Sequence, residues 1–131
     1  MEQEEAGRWL TQARWDLKAA ADSAAAGNYE WACFQSQQAA EKALKSFLYV
    51  SGADPERLHS VYRLLRACAE LNSEFEQLVD AGSLDQYYVP TRYPNGLPDS
   101  VPHDFYTREA AEQCQSLARS VIEFVERLSK S

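Results

Sequence analysis

Apolar residues recur every three or four positions through most of the chain, the spacing of helices that each bury one face. Over Glu4 to Ala25, the positions Leu10, Leu17, Ala21 and Ala24 form one stripe, widened by Trp9 and Ala13. Gly27 supplies the left-handed backbone that ends a helix, and Asn28 is placed to cap the next. So short a connection predicts an antiparallel hairpin with a second helix over Tyr29 to Val50. That second helix carries a wide apolar arc (Ala32, Cys33, Ala39, Ala40, Ala43, Leu44, Phe47 and Leu48), as suits a central element touching several neighbours.

Ser51-Gly52 ends the second helix, and a turn at Asp54-Pro55 leads to a third that begins near Ser60 with Val61, Leu64, Leu65, Cys68 and Leu71 on its inner face. Ser73-Glu74-Phe75-Glu76 reads as a capping box opening a short fourth helix that ends near Gly82. Ser83 to Gln86 reads as a second box, adding a turn through Tyr88. Val89 to Tyr106 is a long irregular segment, and a last helix follows Thr107 with Ala110, Cys114, Leu117, Ala118, Val121, Phe124, Val125 and Leu128 on its apolar face. The expected fold is all-α: an up-and-down bundle of four or five helices with a proline-rich loop before the last one. Its 131 residues are expected to form a single domain.

Four of the five prolines lie in that one loop, at Pro90, Pro94, Pro98 and Pro102. Bundles favour short connectors, so a long one stiffened by proline invites a role. Arg92 sits in it among Tyr87, Tyr88 and Tyr93. A guanidinium held among aromatic rings can grip phosphate through two parallel hydrogen bonds while a tyrosine stacks on a base. The alternative is architecture, with Tyr93 and Leu97 pinning the loop and Arg92 paired to Asp85 or Glu41. Lys42 and Lys45 stand on the second helix beside Gln38, as a polar stripe that is either an anion site or a solvated face. Gln37 falls on the apolar side and needs partners, in a polar network or at a subunit contact. Trp31 and Phe34 are core or dimer contacts. His59 is placed as a general base or as a capping-region side chain, and His103 lies in the loop.

Charge narrows the choice. Thirteen Lys and Arg against twenty Asp and Glu give a net charge of −7, which excludes a broad basic surface for nucleic acid and leaves room for one local anion pocket. Cys33, Cys68 and Cys114 are widely spaced in apolar patterns, as expected of buried free thiols in a reducing, cytoplasmic setting. No metal pattern, P-loop or dinucleotide fingerprint is evident, no run is long enough to span a membrane, and no cofactor is expected.

The run Trp31 to Lys45, then His59-Ser60, Thr91-Arg92-Tyr93-Pro94 and Tyr106-Thr107, resembles the HEPN (higher eukaryotes and prokaryotes nucleotide-binding) domain over nearly the whole chain. It is similar to stand-alone prokaryotic members and to the HEPN domain at the C-terminus of sacsin. The resemblance implies a helical bundle that forms homodimers and binds ATP- or GTP-type nucleotides in a regulatory or interaction role. It places the ligand at Arg92 first, then at Lys42 and Lys45, with Tyr93 and His59 as further candidates. The alternatives it implies are a metal-independent endoribonuclease toxin paired with a nucleotidyltransferase-like antitoxin, and an interaction module without ligand. The family's ribonuclease motif sets a histidine four to six residues after an arginine. His103 lies eleven positions after Arg92 and His59 two after Arg57, so the resemblance assigns no catalytic residue and makes an enzyme the less expected reading.

Overall fold

The structure, a computed structural model, describes residues 2–130. Helix α1 (Glu2–Ala25) and helix α2 (Tyr29–Val50) form the expected antiparallel hairpin. Gly27 turns the chain at φ +84°, which only glycine adopts without strain. The Asn28 N–H bonds back to the Ser23 carbonyl at 2.8 Å, so the backbone itself closes α1. The Asn28 side chain does not cap α2, contrary to expectation, because its backbone lies outside the extended geometry a cap requires. One position of the α1 stripe differs from expectation, Ala20 taking the place of Ala21, while Leu10, Ala13, Leu17 and Ala24 keep to the inner face. Ala6, Leu10, Ala13 and Ala20 are buried, whereas Ala21 is exposed. Steps of three and four from Leu10 through Ala13, Leu17 and Ala20 to Ala24 keep the seam on α2.

Helix α2 is the axis of the molecule, packed against α1 on one side and helix α5 (Arg108–Ser129) on another. Its alanines 32, 39, 40 and 43 are fully buried, and α5 buries the small residues Ala111, Cys114 and Ala118, side chains that suit close helix packing. Leu44, Leu64, Leu84, Phe75 and Val121 fill the space that remains. Phe75 joins α2 to α5 through rings centred 4.6 Å from Phe47 and 4.8 Å from Phe124.

Helix α3 (Val61–Leu71) and a 3-10 run, Ser73–Tyr87, close the remaining side. Neither proposed capping box forms. Asn72, not Ser73, caps the run by accepting from the Glu74 N–H, and Ser83 donates to the Asp80 carbonyl. Asp85 instead caps α3, its carboxylate accepting from Val61 N–H at 2.7 Å, Tyr62 N–H at 3.0 Å and Ser60 Oγ at 2.7 Å. Asp85 thus holds the start of α3 against the end of the 3-10 run, and it is not the partner of Arg92. The segment before α5 is less irregular than expected. It contains a 3-10 turn, Pro94–Gly96, and a one-turn helix α4 (Pro102–Phe105), after which Thr107 caps α5 by accepting from Ala110 N–H. The architecture is an all-α bundle with no β-strand among the described residues.

Candidate functional site on the face of α2

The loop after the 3-10 run is tied down at Thr91, which is 1% exposed and donates to the Tyr87 carbonyl at 2.6 Å. Gly96 packs onto Pro90 so tightly that a Cβ there would lie 2.9 Å from the Pro90 Cα. Buried Pro102 holds the far end. These contacts replace the expected pins: Tyr93 is 52% exposed and Leu97 is only partly buried.

The loop delivers Arg92 onto α2. Its guanidinium carbon lies 4.4 Å from the Phe34 ring centre, 4.8 Å from Tyr88 and 5.4 Å from Tyr93. Arg92 Nε donates to the Tyr88 carbonyl at 2.8 Å. Arg92 makes no carboxylate ion pair among the described residues, so neither Asp85 nor Glu41 neutralises it. Three rings and one carbonyl fix the guanidinium plane and leave its two terminal amino groups for an anion.

His103 arrives by a different route. Pro102 starts α4 and the N–H groups of Asp104 and Phe105 bond back to the Val101 carbonyl, so the turn is tight. It sets His103 Nδ1 at 3.0 Å from the buried carboxylate of Glu30, while the histidine side chain is 58% exposed. Glu30 and Phe34 are i and i+4 on α2, about 6 Å apart along one face. The loop therefore brings Arg92 and His103, eleven residues apart in the chain, onto adjacent turns of one helix. Sequence spacing did not disclose this; the signal was the Pro102 turn opposite an acidic residue in the first turn of α2.

His59 meets the same face further along. Its Nδ1 lies 3.3 Å from Glu41 Oε2, its side chain is 57% exposed, and its carbonyl accepts from Gln37 Nε2 at 3.2 Å. Gln37 is fully buried and accepts from Gln38, which also donates to Glu41, so Gln37 does organise a polar network. Glu41 is seven residues beyond Phe34, about 10 Å along the helix, so His59 does not share a phosphate with Arg92.

The two lysines are not brought to the loop. Lys45 is 2% exposed, paired with Glu41 at 3.1 Å, and stands 5.3 Å from the Trp9 ring centre. It is part of the α1–α2 contact rather than of a polar stripe, since its ammonium is held between Glu41, one turn back on α2, and the Trp9 ring of α1. Lys42 is partly buried and donates to Asp16 at 2.6 Å. Trp31 is 44% exposed with its ring edge on Phe34, and Val89, Val101 and Phe105 are exposed beside the loop, so Arg92 and His103 sit within an apolar rim.

The HEPN domain model matches residues 6–128. The chain belongs to the HEPN family. A protein from Thermus thermophilus of known crystal structure is 43% identical, with a TM-score of 0.84 over 93% of this chain and 96% of that one. An archaeal HEPN homologue is 33% identical, with a TM-score of 0.78 over 94% of this chain and 96% of that one. A HEPN domain protein from Thermotoga maritima is 34% identical, with a TM-score of 0.70 over 94% and 98%. Human sacsin is 30% identical over 123 residues, which is 90% of this chain and 3% of sacsin. Among the described residues no helix of this HEPN domain is long and apolar enough to cross a membrane, and no group of three or more His, Cys, Asp or Glu converges to hold a metal.

Proposed function

We propose that this HEPN domain cleaves RNA without a metal, in the manner of the toxin-type members, and that Arg92 and His103 carry the reaction. The observation behind this reading is their placement on adjacent turns of α2, each held by a second group. With Nδ1 of His103 committed to the Glu30 carboxylate, the proton sits on Nδ1 and Nε2 is the basic nitrogen. Nε2 takes the proton of a ribose 2′-hydroxyl, the 2′-oxygen bonds to the adjacent phosphorus, and the bond from phosphorus to the 5′-oxygen breaks. The leaving oxygen takes a proton from water. Arg92 holds the charge that grows on the phosphoryl oxygens. A charge of −7 restricts RNA to this local site and makes binding salt-sensitive. The apolar rim of Trp31, Val89, Val101 and Phe105 suits contact with a second copy, which would set two such sites in one dimer.

Incubating the protein with end-labelled single-stranded RNA in the presence of a chelator tests the reading. Cleavage leaving a 2′,3′-cyclic phosphate is expected, reduced at least 100-fold in Arg92→Ala and His103→Ala. Expression in a bacterial host is expected to arrest growth, and His103→Ala to relieve the arrest. Intact RNA at high protein concentration overturns it. A second reading rests on the exposed Tyr93 ring beside Arg92, an arrangement suited to a base and its phosphate without chemistry. Calorimetric titration with ATP and GTP, lost in Arg92→Ala while RNA stays intact, would support that reading instead.

A further inference from the structure

Away from the Arg92 site, α3 and the 3-10 run expose apolar side chains that the RNA chemistry does not use. The α3 periodicity assigns Leu71 to the inner face, yet Leu71 is exposed at the last position of the helix. Val79 is 63% exposed and Tyr62 48%. An open groove of about 450 Å³ lies between the two elements, lined by buried Leu65 and Phe75 and by exposed Tyr62 and Val79. Its shape is fixed before anything binds. Arg66 Nη1 donates to the Tyr62 hydroxyl at 2.9 Å, Asp85 accepts from the Tyr62 N–H, and a Cβ on Gly82 would lie 3.5 Å from the Tyr62 Cβ. A held ring costs little further ordering on binding.

Charge selects the occupant. Glu70 and Glu76 also line the groove, and neither makes an ion pair among the described residues. Arg66, the one cation among the lining residues, spends an amino group on the Tyr62 hydroxyl. Over residues 61–87, Asp and Glu outnumber Arg and Lys five to two. A second copy seated here across a two-fold axis would set these carboxylates against their own equivalents. RNA and anionic lipid are repelled for the same reason. We propose that the groove docks a basic amphipathic helix of a partner protein. Its apolar side chains enter against Leu65, Phe75 and Val79, and its Lys or Arg groups meet Glu70 and Glu76. Apolar anchors repeating every three or four residues fit a groove of this kind, and flanking charge sets orientation and partner choice. Tyr62 and Arg66 are of the residue types that carry most of the energy at such contacts.

The test titrates the folded full chain with a fluorescent synthetic peptide of about 18 residues, five helical turns. The peptide carries leucines at spacings of three and four with lysines on both flanks, and its twin has glutamate in place of lysine. The lysine peptide is expected to bind, and the glutamate twin at least tenfold more weakly. Val79→Asp, at an exposed position, is expected to weaken the lysine peptide at least tenfold with the unfolding midpoint little moved. This change adds negative charge, so mere electrostatic adhesion would rise rather than fall. Glu70→Lys combined with Glu76→Lys is expected to turn the preference toward the glutamate peptide. Equal binding of the two peptides, no binding at millimolar concentration, or binding that survives Val79→Asp overturns the proposal. So does a dimer that Val79→Asp splits in sedimentation, which would assign the groove to a second copy. Because the readout is peptide binding away from Arg92 and His103, its failure is separate from failure of RNA cleavage.

Discussion

Arg92 shows what a single side chain gains from its surroundings. A free arginine keeps its rotamer entropy and its hydration; this one has both reduced before any ligand arrives. The Phe34 ring at 4.4 Å is the nearest of its three supports, so Phe34→Leu keeps most of the volume and removes the π face. The loss is about 0.5–2 kcal/mol of cation–π support. The expected outcome is a weakening of RNA or nucleotide binding by roughly 2- to 30-fold, measured by titration, with the unfolding midpoint little moved. Lys45 makes the opposite case. Its ammonium is buried against Glu41 and the Trp9 ring, so it acts in stability rather than at the surface. Lys45→Met strands a buried carboxylate and is expected to cost about 3 kcal/mol in urea unfolding. Pairing it with Glu41→Gln should recover part of that loss, since the uncompensated charge is then gone.

Among the elements, α1, α2 and α5 were legible because each repeats its apolar positions over five or more turns, and periodicity that long outvotes local exceptions. The 3-10 run was not. Its residues offer several local hydrogen-bonding side chains, Asn72, Ser73, Ser83 and Asp85, and which backbone group each satisfies depends on neighbours distant in sequence. Asp85 is the clearest instance: read locally it belongs to a box with Ser83, yet it caps a helix that begins 24 residues earlier. Asp85→Ala is therefore expected to destabilise the fold by about 2 kcal/mol, at the upper end of cap losses, because Val61 and Tyr62 N–H and Ser60 all lose one acceptor. Thr107→Ala, which removes a single cap bond at the start of α5, should cost about 1 kcal/mol in the same measurement. The Arg92 platform was half legible for the same reason. The aromatic loop announced itself in composition, but the meeting of Arg92 with His103 depends on how α4 turns, and the meeting of Lys45 with Trp9 on which flank of α2 faces α1.

For the molecule as a whole, tyrosine hydroxyls and a thiol set in or beside the core tie the stability of the bundle to pH. Burial, and to a lesser degree the nearby thiols, lift the Tyr87 hydroxyl from its ordinary value of 10 to about 12, and Tyr106 moves the same way. Burial lifts the Cys68 thiol from 9 to about 12. In each case the folded state favours the neutral, protonated form. The stability each group contributes is fully present below its unfolded value and is lost as the pH rises through the folded one. The protein is thus expected to hold a constant urea midpoint up to about pH 9, and then to lose stability progressively toward pH 12 as the unfolded chain releases protons that the folded chain retains. Cys68→Ala should lessen the first part of that decline, to which the likewise raised Cys114 thiol also contributes, and Tyr87→Phe the later part. A midpoint that is level from pH 9 to 12 in the unmodified protein would mean that water reaches these groups in the folded state.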